Sequence, residues 1–299
     1  MKKEMRKVNG MKVTGGILGA VLILVTAQLA AQLLVQALDR LTTWIFEGFP
    51  PILHIVSIIM NITAGVLYFG FAYILLKVFA EKLLNFRLCE LGIPRFKLNM
   101  KWLITAFVLP AVVIAVYLIL PGEFGSSGMT KEQTAAVISA GIFFTGIAGG
   151  AVEEMVFRGF IMNLLGKKLG RKAAVLLPSL LFGALHIIGM DLGPVSCIQV
   201  LAAGTCVGIM FSLIAIDQNS VWNSAVVHMI WNISIIGGIL HIGENLDEYS
   251  AMTYILKTDS FFITGGEFGI EASVIAIAGY LVVCVLGYPG ARKRIKKIW

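Results

Sequence analysis

Charge is what this sequence has least of. Only 14% of its 299 residues are Asp, Glu, Lys or Arg, against about 25% in soluble globular domains. With 58% hydrophobic residues, too little polar material remains to cover a water-soluble surface. Cysteine is also scarce. Cys89, Cys197, Cys206 and Cys284 form no Cys-x-x-Cys pair, which leaves neither a disulfide framework nor a thiolate metal site to expect. No His-Glu-x-x-His zinc motif and no phosphate-cradling glycine loop are present, and no serine or cysteine carries a nucleophile motif. The net charge of +7 comes without any basic stripe interleaved with aromatics. The basic residues sit in short blocks at the ends of apolar runs, which marks them as topogenic charge and excludes a nucleic-acid partner.

What is abundant is long apolar sequence. A hydrocarbon core of about 30 Å takes roughly 20 apolar residues per helical crossing. Eight runs qualify, at 15–38, 52–76, 102–121, 133–166, 173–190, 195–215, 220–241 and 272–289. They leave little sequence over, so the expected architecture is all-α: one integral membrane domain, 1–299, folded as a polytopic bundle of about eight spans in a lipid bilayer. The first run has a basic start but stays apolar to about residue 38, longer than a secretory apolar region of about 7–15 residues. It is therefore expected to be retained as a span.

Eight spans put both termini on one side. All of the 24 Lys and Arg then lie on that side except Arg40, Lys131, Lys257 and the intramembrane Arg158. The positive-inside rule makes that side the cytoplasm, with the plasma membrane as the expected location. The longest external segment, 242–271, is acidic: Glu244, Asp247, Glu248, Asp259, Glu267 and Glu271 stand against Lys257. It is expected to be a solvated connector, with 253–263 as a short hairpin or interfacial stretch. No internal repeat stands out.

Ionisable groups within spans are costly unless paired or hydrated, so each is a candidate for function. Glu153-Glu154-Met-Val-Phe-Arg158 lies in the fourth run. Glu154 and Arg158, four apart, share a helix face and can pair, while Glu153 is rotated by about 100° and points elsewhere. By itself this is also what a structural salt bridge beside a water-facing glutamate would look like. Phe182-Gly-Ala-Leu-His186 places one histidine in the fifth run, a weak signal alone. His228-Met-Ile-Trp-Asn232 in the seventh run puts an imidazole and an amide on one face, either as interhelical glue or as two donors aimed at one ligand. Depth favours a shared site. At about 1.5 Å per residue, Glu153 is roughly 21 Å from Lys167 and His186 roughly 20 Å from residue 173. His228 and Asn232 are roughly 12 and 18 Å from residue 220 by the same rise. His54, His241 and Asn61 lie near span ends or on packing faces and are expected to be surface or packing groups.

Glu-Glu-x-x-x-Arg, Phe-x-x-x-His and His-x-x-x-Asn, in that order on separate apolar runs, resemble the CAAX protease and bacteriocin-processing (CPBP, or Abi) family. The resemblance covers roughly 133–241, the stretch expected to form the catalytic core helices. It implies an intramembrane endopeptidase acting on a membrane-associated protein or peptide. Glu153 corresponds to the catalytic glutamate, and His186 would join it in activating water. His228 and Asn232 would stabilise the oxyanion, with Glu154, Arg158 and Phe182 supporting the site. A desolvated glutamate has a raised pKa and can serve as a base near the working pH, and no metal is favoured. Zinc held by Glu153, His186 and His228 is the other option. Two readings compete with the enzyme: a non-catalytic immunity or scaffold protein binding a peptide or partner in the same cavity, and a secondary transporter. The transporter expects paired half-repeats.

Overall fold

The computed structural model describes residues 8–298, and for Pro50, Pro51, Arg171 and residues 295–298 only the backbone. The basic residues Lys2, Lys3, Arg6 and Lys7 lie outside the described residues. Each apolar run becomes a helix. α1 is Gly10–Ile45, and α2 is Pro50–Val78, prolonged by a π turn at Phe79–Leu84. α3 is Met100–Ile119 and is followed by strand β1, Gly122–Gly125. α4 runs continuously over Lys131–Leu169. α5 is Arg171–Leu185, α6 Pro194–Gln218 and α7 Val221–Trp231, the last prolonged by a π turn at Asn232–Ile236. Strands β2, Leu240–Gly243, and β3, Met252–Leu256, precede α8, Val274–Ile298.

The chain is thus a polytopic helix bundle, with 6 helices among the described residues long and apolar enough to cross a membrane. The fifth and seventh runs differ from the full crossings expected of them. They form the shorter apolar helices Lys172–Leu185 and Val221–Ile236, and 14 to 16 residues rise only about 21–24 Å. The cause in α5 is local. Ile187 and Ile188 are apolar enough to extend a hydropathy run, but the chain turns there, with Gly189 at φ +82°, before Pro194 starts α6 at its first turn. Apolar content and helical continuity are separate properties, and here they part.

Local chemistry sets the helix starts. Asn9 Oδ1 accepts from Lys12 N at 2.8 Å and Asn99 Oδ1 from Lys101 N at 3.0 Å. Thr130 and Gln133 close a capping box at the head of α4. Asn219, left-handed at φ +51°, ends α6, and Ser220 caps α7 immediately after it. This two-residue reversal folds α7 back along α6. Close approach is built from small residues. A Cβ on Gly150 of α4 would lie 2.8 Å from Met229 N of α7, and one on Gly183 of α5 would lie 2.9 Å from Leu201 O of α6. Small residues at such contacts are the usual route to tight packing between membrane helices. α4 is the inner helix: Met155, Val156, Phe157, Phe160 and Ile161 are all buried, packed against α1, α5 and α7. Leu18, Leu22, Leu29 and Leu33 of α1 instead face outward, as a lipid-facing stripe requires. Asn61 has the packing role expected of it, donating to Ala136 O and Ser139 Oγ at 2.9 Å each.

The segment read as a solvated connector is more ordered than that. β3 pairs antiparallel with β1 and parallel with β2, giving the order β1-β3-β2, with Gly122 opposite Leu256 and Leu240 opposite Met252. No hairpin forms within 253–263, because β3 pairs with β1, in the loop after α3, and with β2, the strand that precedes it. Tyr117 Oη binds Ile263 O at 2.6 Å and Ser273 Oγ at 2.7 Å, tying the segment to α3.

Candidate active site

The Glu-Glu pair stands on an irregular piece of α4. Residues Gly150–Glu154 are α-helical, but Gly141–Gly149 before them and Met155–Ile161 after them are π-helical. Such wide turns are rare and concentrate at functional sites. Glu154 and Arg158 make the expected ion pair, Nη1 to Oε1 at 2.8 Å, with side chains 0% and 1% exposed. The guanidinium lies over three rings, its Cζ 4.5 Å from the centroid of Phe182, 5.1 Å from Phe211 and 5.7 Å from Phe157. Phe182 therefore supports the pair through its face and also meets the His186 ring at 4.5 Å.

The two imidazoles are oriented by the same kind of contact. His186 ends α5 and directs Nδ1 at Phe182 O, 2.7 Å away. A carbonyl accepts only, so Nδ1 carries the hydrogen and Nε2 is left with its lone pair. His228 stacks on Phe211 at 4.6 Å and 19°, and its Nδ1 is 3.2 Å from Glu154 Oε1. Arg158 Nη1 already donates to that same oxygen, so the oxygen accepts and this Nδ1 is also the donor. Glu154 thus serves Arg158 and His228 together, a double role that the i,i+4 spacing alone does not reveal. His228 Nε2 faces Glu153 Oε2 at 3.7 Å, too far for a hydrogen bond. Glu153 Oε2 has no hydrogen-bond partner among the described residues. Asn232 begins the π turn after α7 and donates Nδ2 to Thr145 O, within the first π segment of α4, at 3.2 Å.

Glu153, His186, His228 and Asn232 line one cavity of about 90 Å³, together with Phe182, Phe211 and Trp231. At roughly 30 Å³ per water, the space suits a few waters, or one water beside a peptide carbonyl. Among the described residues, no three His, Cys, Asp or Glu side chains are grouped closely enough to hold a metal ion. All four cysteines are free thiols. His54 is exposed, and His241 sits 3.9 Å from Asp247 in a different cavity.

One acidic lining residue was not among the expected site residues. Glu271 reaches the cavity from the turn before α8. The turn is fixed by Tyr280 Oη donating to Glu271 O at 3.0 Å and Gln199 Nε2 donating to Ala272 O at 2.9 Å. Gly269, at φ +101°, lets the chain reverse just ahead of it. Burial pushes the Glu271 carboxyl up to about 7, against the pull of His186 and His228, with Glu153 adding to the rise. The available signal was Gly265-Gly266-x-x-Gly269 two positions before an acidic residue at the edge of an apolar run.

Fold and site together define a polytopic membrane protein with a carboxylate–imidazole cavity inside its helix bundle. Residues 134–234 match the family model described as Rce1-like, the type II CAAX prenyl endopeptidases. That segment is about a third of the chain, and it contains Glu153, His186, His228 and Asn232. The match agrees with the resemblance carried by the three motifs, and over this segment the chain is similar to a family of membrane proteases. No curated protein and no solved structure matches the chain.

Proposed function

We propose that this protein is an intramembrane endopeptidase that hydrolyses a peptide bond in a membrane-associated protein or peptide, with water activated by Glu153 and His186. The observation that supports it best is the one cavity shared by a carboxylate oxygen with no hydrogen-bond partner among the described residues, two imidazoles fixed through Nδ1, and a side-chain amide. Glu153 takes a proton from water as the oxygen adds to the scissile carbonyl. His186 offers Nε2 as an acceptor to the same water. The tetrahedral oxyanion accepts from the second Nδ2 hydrogen of Asn232 and from His228 Nε2. Because His228 Nδ1 already donates to Glu154, His228 donates from Nε2 only as the imidazolium, with Glu154 as its counter-charge. The proton on Glu153 then passes to the amide nitrogen as the C–N bond breaks. A preorganised oxyanion donor is commonly worth about 3–4 kcal/mol, which is about 10²–10³ in rate. The mechanism calls on no metal. The zinc alternative would use the Nε2 atoms of His186 and His228 with Glu153, the orientation that an outer hydrogen bond on Nδ1 provides.

The proposed core comprises the helices of 133–241, in a bundle with both termini cytoplasmic. The deciding experiment compares the membrane peptidome of cells expressing wild type with that of cells expressing Glu153→Gln at equal abundance. Peptide termini present only with wild type are expected. Identical peptidomes, with both proteins folded, would favour a binding or immunity role for the cavity over hydrolysis.

A further inference from the structure

The cavity around Glu153 adjoins a second one of about 320 Å³. Ile236, Phe268 and Glu271 line both. The walls of the outer cavity are largely apolar, built from Ile235, Leu240, Ile242 and Ile270. Leu240 and Ile242 belong to β2, an edge of the small sheet. Among the described residues no Lys or Arg lines either cavity, although the two together contain Glu153, Glu271 and Asp247. Asp247 is already engaged by Ser250 Oγ, by Tyr249 N at 3.2 Å and by His241 at 3.9 Å. Glu271 is different: its carboxyl accepts no hydrogen bond from the described residues, and only His186 and His228 across the inner cavity offset its burial.

A carboxyl desolvated among apolar walls with no lysine or arginine beside it is in an unfavourable place, and an arriving cation offsets part of that cost. The shape is specific about which cation fits. An aliphatic stem can lie along Ile235, Leu240 and Ile270 while its charged head reaches the carboxylate, as long basic side chains do at apolar surfaces. We propose that the outer cavity is a substrate subsite for a Lys or Arg side chain within two residues of the scissile bond, with Glu271 as its counter-charge. This rests on the protease reading above and adds to it a substrate class defined by charge. The subsite adjoins the proposed water and oxyanion groups, so the bound side chain fixes which peptide bond is presented to Glu153.

The test uses the full chain in its membrane. Cells expressing wild type, Glu153→Gln, Glu271→Gln or Glu271→Asp are compared by terminal labelling and mass spectrometry of membrane peptides. Termini that depend on Glu153 are expected to carry Lys or Arg within two residues of the cut. Glu271→Gln should lower those basic-flanked cuts by about tenfold or more, the order that one charge-assisted contact carries. Glu271→Asp, which keeps the charge, should retain the basic preference at reduced yield. Glu153-dependent cuts with no basic enrichment would overturn the subsite and leave the protease reading standing. So would loss of basic-flanked and other cuts to the same extent in Glu271→Gln, or failure of Glu271→Asp to retain the preference. Absence of any Glu153-dependent cut would sink the hydrolytic reading itself and the subsite with it.

Discussion

Arg158→Ala separates the part of the site that holds the structure from the part proposed to carry the chemistry. The substitution leaves Glu154, 0% exposed, with only His228 Nδ1 at 3.2 Å as a partner. Removing one member of a buried ion pair costs about 3–5 kcal/mol. Loss of the cation from above Phe182 and Phe211, at 4.5 and 5.1 Å, adds about 0.5–2 kcal/mol per ring. The unfolded chain in a membrane also finds polar partners, which places the expected net loss near the low end, about 3 kcal/mol. For a chain of this size that is a fall of roughly 6–12 °C in Tm, read by thermal unfolding in detergent together with accumulation in membranes. The second arm is Glu154→Gln with Arg158→Met. The side-chain amide oxygen introduced by Glu154→Gln would still accept from His228 Nδ1, and no unpaired charge remains. Arg158 Nε and Nη2 have no hydrogen-bond partner among the described residues, so the native pair is itself incompletely compensated. The double variant should therefore recover most of the lost stability, with a coupling energy above about 2 kcal/mol. A loss below about 1 kcal/mol for Arg158→Ala, or a double variant no better than the single one, would refute the bracing argument.

Other outcomes follow from the same geometry. Glu153→Gln breaks no hydrogen bond at Oε2, so its Tm should stay within about 2 °C of wild type while cleavage disappears; an unfolded variant would mean that the roles of the two glutamates are misassigned. Reporter fusions after residues 90, 169 and 297 should read cytoplasmic and fusions near 127 and 250 external, and a C-terminal fusion reading external would rule out the proposed orientation. Purified protein should hold substoichiometric zinc by elemental analysis and keep its activity after chelation. One tightly held zinc per chain, with activity lost on its removal and regained on its return, would replace the metal-free mechanism and leave the protease assignment intact. The Glu271 carboxyl, raised by burial to about 7 from an unfolded value of about 4.3, bears on stability with a definite sign. Both states are protonated below pH 4, so no penalty exists there; it grows as pH rises through that window and is complete above about 7. Glu271→Gln should gain stability over wild type between pH 4 and 7, and parallel stability curves for the two proteins would contradict this.

What could be read from residues alone was whatever depended on one helix at a time. The Glu154–Arg158 pair is an i,i+4 contact, and the divergence of Glu153 from Glu154 follows from helical rotation. That four polar groups would meet was legible only through their common depth. The structure puts them around one cavity, although two of the helices are shorter than the hydropathy implied. What stayed hidden needed chain segments far apart in sequence. Glu154 accepting from His228 joins α4 to α7 across 74 positions. β3 pairs with β1 from another loop, and Glu271 reaches the cavity because Tyr280 and Gln199 fix its backbone. As one acid among six in a loop, it has only the glycines at 265, 266 and 269 to set it apart.

The irregular backbone has a single physical theme. A polar side chain at membrane depth competes poorly while every neighbouring carbonyl is engaged in an α-helical ladder, and broken ladders are tolerated there only where protein or a cavity lines them. Each of the three motifs stands at such a break. Glu153 and Glu154 lie between two π segments, one of which offers Thr145 O to Asn232. His186 is the residue at which α5 ends, and it meets a carbonyl of the last turn. Asn232 is where α7 widens into its π turn. The glycines at 141, 146, 149 and 150 let α4 come close to α7 at that level, where added Cβ atoms at 141, 146 and 150 would collide with Gly237, Ile233 and Met229. A straight α4 with ordinary side chains would leave the carboxylate, the amide and the imidazoles on separate helices with apolar packing between them. The glycine-rich stretch and the charged motif are thus one device, the first making room for what the second carries.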